Sequence, residues 1–205
     1  MSQLVSSIET SFFDEPIVTT NWSLLSDQEL VILTLESSHR AFEEIVNRYQ
    51  EPILRYTLRL LNNNQQDAQD VVSESFFRAF KNLASYKSDY KFSSWLYRIA
   101  HNQAVNMIKF KSGMFFVDIK NFFEMIAPVK QEPIISLQEL DQVLDQLKLK
   151  DKNLLVLFYL EQKSLREISD ILLLTENTVA QQLSRARQKA RNILNQTIKK
   201  NLKSN

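Results

Sequence analysis

Residues 67–111 read DAQDVVSESFFRAFKNLASYKSDYKFSSWLYRIAHNQAVNMIKFK, two helical patterns joined by an aromatic and basic connector. In the first pattern the apolar residues recur at i, i+3 and i+4, which predicts a helix with one buried stripe. The stripe consists of Ala68, Val71, Val72, Phe76, Ala79, Phe80 and Leu83. The opposite face carries Asp67, Asp70, Glu74, Phe77 and Lys81. An aromatic ring among acids on a solvated face is unusual, and contact with a partner is one explanation.

The second pattern predicts a helix with Ser93 or Ser94 as its N-cap. Its inward residues are Leu96, Ile99, Ala100, Gln103 and Met107, and its outer face aligns Trp95, Arg98, Asn102, Asn106 and Lys109. Rings, amides and cations on one face suit a nucleic-acid strand, because bases stack on rings and phosphates pair with cations. The connector adds Tyr86, Tyr90 and Phe92 beside Lys87 and Lys91, a platform for a flipped base. The alternative is that Trp95 is an ordinary core or domain-edge residue.

Composition predicts an all-α protein. The chain has 205 residues, one Gly and four Pro, and no window alternates apolar and polar residues as a strand does. The absence of Cys excludes disulfides and zinc–thiolate sites. No glycine-rich phosphate loop or paired His–carboxylate motif is present, so we expect neither an enzyme nor a cofactor. Without a signal peptide or a bilayer-spanning apolar run, we expect a soluble cytoplasmic protein with no membrane insertion.

Charge is distributed unevenly along the chain although its net value is only +1. Residues 1–36 contain no Lys or Arg, whereas no acid follows Glu176. The basic C-terminus is therefore a candidate electrostatic footprint for DNA, with a merely solvated basic face as the alternative. Asp67, Asp70 and Glu74 could together hold a divalent metal, but no His accompanies them, and a solvated acidic face is the commoner arrangement.

Residues 164–194, SLREISDILLLTENTVAQQLSRARQKARNIL, form the second motif. Ser164 is expected to cap a short helix and Thr175 a longer, basic one, with a tight turn between them. This is the pattern of a helix-turn-helix, whose second helix enters the major groove. Val179, Leu183, Ala186 and Ala190 form the buried stripe of that helix. Its other faces carry the candidate DNA contacts Thr178, Gln181, Gln182, Arg185 and Arg187.

The stretches DAQDVVSESFFRAF and FSSWLYRIAHNQAVN resemble region two, and EISDILLLTENTVAQQLSRAR resembles region four, of the extracytoplasmic-function (ECF) sigma factors of bacterial RNA polymerase. The resemblance covers about 24–111 and 137–195. It implies two small helical domains, region two over 24–111 and region four over 137–205. Residues 1–23 are polar without a sustained period and are expected to form a flexible tail, and residues 112–136 are expected to be a linker between the domains. The alternative is that the protein is a stand-alone helix-turn-helix regulator, but this would leave residues 67–111 without a function.

The resemblance also implies partners and site residues. The partners are core RNA polymerase and promoter DNA, and it stays open whether an anti-sigma factor binds as well. The polymerase-binding residues would be Asp67, Asp70, Glu74, Phe77 and Arg78. The residues that bind the downstream promoter element and melt DNA would be Tyr86, Tyr90, Phe92, Trp95, Arg98, Asn102 and Lys109. The helix-turn-helix residues would bind the upstream element.

The second motif departs from the family pattern at several positions. Leu173 replaces the turn glycine, so the turn must either avoid a left-handed residue there or strain it. Ala180 and Gln182 replace two basic residues of the family pattern. Either DNA affinity is lower, or Gln181 and Gln182 read bases, since a glutamine can bind adenine bidentately. In the linker, the phenylalanines either pack back onto a domain or lie along a partner.

Overall fold

The structure, a computed structural model, describes residues 21–112 and 137–201. Within these ranges the chain is helical throughout, which confirms the predicted all-α fold class. The predicted tail and linker fall almost wholly outside the described residues. The helices are α1 (Asp27–Leu35), α2 (His39–Leu60), α3 (Gln65–Lys81), α4 (Phe92–Ser112), α5 (Leu137–Asp145), α6 (Leu149–Leu155), α7 (Leu165–Leu172) and α8 (Glu176–Asn201). Short 3-10 turns occupy Trp22–Leu24 and Leu83–Ser85.

The N-terminal half, residues 21–112, is organised around α2. Helix α1 begins with a capping box in which Ser26 and Glu29 satisfy each other's backbone N–H groups. Pro52 lies inside α2, and the helix continues through it. Helices α1, α3 and α4 all pack on α2. Ile45, Ile53 and Tyr56 are fully buried at its centre.

The turn between α2 and α3 uses Asn62 and Asn63, both in the left-handed region with φ of 53° and 60°. Asparagine tolerates this region better than most residues, so the backbone conformation of the turn costs little free energy. Asn64 then caps α3 by accepting a hydrogen bond from the backbone N–H of Asp67 at 3.1 Å. Helix α4 begins at Phe92, one or two residues before the predicted caps, and Ser94 is buried.

The C-terminal half, residues 137–201, contains a π-helical turn at Val156–Leu160 directly after α6. Its signature is the bond from the backbone N–H of Glu161 to the carbonyl of Val156 at 3.0 Å, five residues apart. Ser164 and Glu167 form a capping box at the start of α7. Thr175 accepts a hydrogen bond from the backbone N–H of Thr178 at the start of α8. Both caps are those predicted.

Leu173 adopts φ 54° and ψ 45° in the turn between α7 and α8. The second of the two predicted alternatives is therefore correct, because the turn keeps its left-handed geometry and a leucine bears the strain. The side chain gains little in return, since it is 72% exposed.

The two halves share one continuous hydrophobic core, and α4 packs against α7. Leu96 and Ala100 of α4 and Ile168 of α7 are completely buried. No helix among the described residues is long and apolar enough to cross a membrane.

Candidate partner and nucleic-acid interfaces

The outer face of α3 combines a ring with charges, as the sequence predicted. Phe77 is 57% exposed, and the Lys81 ammonium lies 5.6 Å from its ring centroid. Asp70 and Arg78 are exposed, and Arg78 forms an ion pair with Glu74 one turn earlier. This pair is intrahelical and solvated, so both groups can exchange partners at little cost.

Asp67 is largely buried, unlike the other residues predicted to lie on that face. It is 9% exposed, and the Lys111 ammonium donates to both carboxylate oxygens at 2.6 Å. The two residues join the first turn of α3 to the last turn of α4. Helical periodicity places Asp67 on the outer stripe, but it cannot show that the distant end of α4 crosses there.

Two of the four predicted stacking rings belong to the core. Phe92 is 2% and Trp95 is 8% exposed, and their ring centroids lie 5.6 Å apart. Tyr86 contacts both, at 5.4 Å from Phe92 and 5.6 Å from Trp95. The connector folds over the face on which Trp95 lies and buries it. The placement agrees with the alternative in which Trp95 is a core residue.

Tyr90 is the exposed ring of this region, at 44%. The Tyr86 hydroxyl donates to the carbonyl of Tyr90 at 2.8 Å and fixes the connector. Lys87 and Asn102 are exposed, whereas Arg98 and Lys109 are half-buried. The connector and α4 therefore keep a ring, an amide and cations at least partly accessible to solvent, the groups that a single strand requires.

The predicted residues of α8 separate into accessible and enclosed groups. Gln181 is exposed and Thr178 half-buried, with its hydroxyl 2.8 Å from that of Thr175. Arg185 is half-buried. Gln182 is only 9% exposed and is thus enclosed.

Arg187 is held within the C-terminal half. Its guanidinium carbon lies 5.1 Å from the ring centroid of Phe158 and 5.4 Å from that of Tyr159. Cation–π contacts of this kind hold the guanidinium against the π-helical turn.

Sequence reasoning missed a set of polar side chains between the halves. The fully buried Tyr56 donates to the Asn153 side-chain oxygen at 2.6 Å, and its hydroxyl lies 3.0 Å from Nδ1 of His101. Because the phenol has a single proton, the second contact requires an Nδ1–H donor on His101. Burial lowers the pKa of His101 to about 4. The available signal was a tyrosine on an inward stripe, since a buried hydroxyl needs a partner.

Tyr97 makes the second polar contact between the halves. Its hydroxyl donates to a Glu161 carboxylate oxygen at 2.6 Å, and the side chain is 1% exposed. The Lys163 ammonium lies 4.2 Å from the ring centroid. Burial, followed by the bond to Glu161, raises the pKa of Tyr97 far above its ordinary value, so the hydroxyl stays a donor at every physiological pH.

Three further contacts border this interface. Arg59 pairs with Asp141 at 2.6 Å, and Lys152 donates to the Asn62 side chain at 2.7 Å. Lys91 of the connector pairs with Glu167 of α7 at 3.0 Å. Within the described ranges, no group of three or more His, Cys, Asp or Glu residues could hold a metal ion.

Comparison with known families places these two halves in one class of protein. The family model for sigma-70 region 2 matches residues 45–113, and the model for sigma-70 region 4 matches residues 137–189. The two halves thus correspond to region 2 and region 4 of a sigma-70-type factor.

Sequence relatives show to which group of sigma-70 factors the chain belongs. The chain is 33% identical over 165 residues to the ECF RNA polymerase sigma factor SigW of Bacillus subtilis, covering 74% of this chain and 87% of the relative. It is 41% identical over 80 residues to the RNA polymerase sigma-H factor of Pseudomonas aeruginosa, covering 39% of this chain and 41% of that relative. The chain belongs to the extracytoplasmic-function sigma factors of the sigma-70 family. It directs RNA polymerase to promoters and is not an enzyme.

Solved structures share the fold. The structure of CnrH in complex with the cytosolic domain of CnrY is similar with a TM-score of 0.64 and 22% identity, covering 82% of this chain and 97% of that one. The sigma factor RpoE of Bartonella quintana, in complex with the anti-sigma factor NepR, is similar with a TM-score of 0.58 and 18% identity, covering 75% of this chain and 96% of that one.

Proposed function

We propose that the exposed face of α3 is the surface that docks on core polymerase. Phe77 carries this proposal, because a phenylalanine that is 57% exposed among charges is suited to fill an apolar notch of a partner. Asp70 and Glu74 would pair with cations of the polymerase, with Arg78 released from Glu74 on docking. Asp67 is left out of this surface because Lys111 already satisfies its carboxylate.

The promoter contacts follow from the same reasoning. Tyr90 would stack on an unpaired base of the downstream element, with Tyr86 supporting the connector and Arg98, Asn102 and Lys109 following the backbone of the strand. Phe92 and Trp95 would support Tyr86 and the connector from the core side. In the upstream element, Gln181 would read a base and Thr178 and Arg185 would contact phosphates.

The segment boundaries given above belong to this proposal: region two over 24–111 and region four over 137–205. Its place of action would be the cytoplasm, where bacterial RNA polymerase works. An anti-sigma factor would be a further partner, supported by the likeness in fold to a sigma factor determined with one.

Charge reversal on α3 tests the docking surface. Asp70→Arg with Glu74→Arg should weaken binding to core polymerase more than tenfold, because each lost interfacial charge pair costs about 1–3 kcal/mol. Glu43→Arg with Glu51→Arg on α2 makes the same change in net charge at exposed positions and is the matched control. The measurement is a titration with core enzyme, followed by run-off transcription. Equal binding by both double variants would remove α3 from the docking surface.

A further inference from the structure

The direction of the Tyr90 ring is not fixed by the hydrophobic core, because this side chain is exposed. A ring that captures an unpaired base must be held where the base can stack on it. If the ring and its backbone become ordered only on binding, the loss of conformational freedom weakens the contact. The capture of a base by Tyr90 therefore depends on what holds the backbone of Tyr90.

A hydrogen bond from Tyr86 holds that backbone. The hydroxyl of Tyr86 donates to the carbonyl of Tyr90 at 2.8 Å, a normal length for an O–H donor. The N–H of Tyr90 also donates to the carbonyl of Lys87, but at 3.3 Å this bond is long. The bond from the hydroxyl closes residues 86–90 into a ring of side chain and backbone. It is therefore the tighter of these two constraints on Tyr90.

Tyr86 is itself anchored on the core. Its ring lies edge-on to Phe92, with the two planes at 86°, and it also contacts Trp95. Both partners are buried residues of α4. Burial raises the pKa of Tyr86 above its ordinary value, so the hydroxyl stays protonated and remains a donor at neutral pH. The bond to the carbonyl thus ties the position of Tyr90 to that of α4.

We propose that Tyr86 is a positioning residue for promoter melting, whose hydroxyl holds Tyr90 in the orientation that stacks on an unpaired base. Tyr86 acts through Tyr90 and does not contact the DNA itself, since its ring packs on α4 and its proton is given to the carbonyl. This role differs from the prediction made from the sequence, in which Tyr86 was one of several stacking rings. The inference rests on the base-stacking role proposed above for Tyr90.

Tyr86→Phe separates the hydroxyl from the ring. Phenylalanine keeps the contacts with Phe92 and Trp95 and removes only the bond to the Tyr90 carbonyl. A ring that merely packed or stacked could be replaced by phenylalanine with little loss, whereas a positioning hydroxyl could not. The measurement is the rate of open-complex formation on a duplex promoter by the full chain bound to core polymerase. We expect Tyr86→Phe to lower this rate about fivefold, the effect of one hydrogen bond.

Tyr49→Phe is the matched control. It removes another tyrosine hydroxyl bond, to Asp27 at 2.5 Å, which joins α2 to α1 and lies outside the connector. We expect the rate for Tyr49→Phe to stay within about twofold of the wild-type rate, with circular dichroism confirming that both variants are folded. An equal defect in the two variants would indicate a general loss of stability and overturn the proposal. A wild-type rate for Tyr86→Phe would overturn it as well.

A double-mutant cycle tests whether Tyr86 acts through Tyr90. Once Tyr90→Ala has removed the stacking ring, Tyr86→Phe should cause no further loss of rate. If the two defects multiply instead, Tyr86 acts independently and the proposal fails. A normal rate for Tyr90→Ala would refute the function proposed for Tyr90, and the positioning role with it. A normal rate for Tyr86→Phe alone refutes only the positioning role, so the two failures are distinguishable.

A fluorescent adenine analogue reports stacking directly, because its emission is quenched when it stacks on a ring. The analogue replaces each base of the melted segment in turn, on a template that is already mismatched there. The unpairing cost is thereby removed, so a melting defect does not affect the signal. Emission at the captured position should be low with the wild type, high with Tyr90→Ala and intermediate with Tyr86→Phe. Emission with Tyr86→Phe that equals the wild-type value would show that the hydroxyl does not position the ring.

Discussion

Lys111 and Asp67, 44 residues apart in sequence, form a bidentate ion pair that joins the end of α4 to the beginning of α3. The Asp67 side chain is 12% exposed and the Lys111 side chain 53%, so the pair is partly shielded from solvent. The same carboxylate lies in the first turn of α3, where the helix dipole favours a negative charge. The pair therefore connects α3, which carries the proposed docking surface, to α4, which carries proposed DNA contacts.

Asp67→Asn should lower the free energy of unfolding by about 1–2 kcal/mol, between the values for exposed and buried pairs. The exposed Asp70→Asn is the control and should change it by less than about 0.5 kcal/mol. Urea denaturation followed by circular dichroism measures both. Unchanged stability of Asp67→Asn together with weaker binding to core polymerase would return Asp67 to the docking surface.

Leu173→Gly should stabilise the protein. Leucine in the left-handed region costs roughly 1–2 kcal/mol, and glycine returns part of that gain through its freer unfolded state. Since the leucine side chain is mostly exposed, we expect a net gain of about 1 kcal/mol in thermal or urea unfolding. Leu172→Gly, one residue earlier and still helical, should destabilise. A loss of stability in Leu173→Gly would mean that its side chain packs in solution.

Tyr90→Ala should impair DNA melting and leave folding intact. The ring is exposed, so stability should be nearly unchanged, whereas loss of one stacking contact worth about 1–3 kcal/mol should reduce run-off transcription from duplex promoters. A template already mismatched across the melted segment should restore much of the yield, because the unpairing cost is removed. Normal transcription of duplex by Tyr90→Ala would assign melting to other residues.

Phe92→Ala is the companion to that experiment. This ring is buried among Tyr49, Tyr86 and Trp95, so its loss should cost about 3–4 kcal/mol of stability. Its transcription defect should therefore persist on the mismatched template. Rescue on that template would indicate a direct role for Phe92 in DNA binding.

Stability should fall as the medium becomes acidic, in two windows. The pKa of His101 falls from an ordinary value near 6.5 to about 4 in the folded chain. The folded state thus binds fewer protons between these values, and its stability is complete above pH 6.5 and decreases towards pH 4. The full loss is about 3 kcal/mol, from roughly 1.4 kcal/mol for each pH unit. Glu167, whose pKa is lowered to about 2, contributes a further loss below pH 4.5.

The control for this dependence is His101→Gln, which retains a donor for Tyr56 and does not titrate. The free energy of unfolding, measured by urea at several pH values, should then be flat between pH 6.5 and 4.5. An unaltered slope in His101→Gln would assign the acid sensitivity to another group.

Helix periodicity and capping chemistry were sufficient to predict the architecture. The caps at Ser164 and Thr175 and the exposed Phe77 all follow from spacing within one helix. The burial of Phe92 and Trp95 cannot be predicted in this way, because it depends on how the neighbouring connector folds over the helix face. Without that information, an aromatic residue on an outer stripe is equally consistent with stacking and with packing.

The interface between the halves was beyond sequence reasoning for a related reason. Tyr56 and Asn153 are 97 residues apart, and Tyr97 and Glu161 are 64 apart. Nothing in the pattern of either helix specifies which distant helix completes it. The helical pattern alone places Tyr56 on an apolar face, where a buried hydroxyl needs a partner that the pattern does not identify.

The π-helical turn at Val156–Leu160 makes the length of this segment critical. A π turn holds one residue more than the α-helical path would, and it lies between Asn153 and Glu161. Because each residue of an α-helix turns the chain by about 100°, a change of length after Asn153 that the π turn does not absorb would rotate Glu161 relative to Asn153 by about that angle. The chain could then bond Tyr56 or Tyr97, but not both. Both distant hydrogen bonds therefore depend on the number of residues between positions 153 and 161.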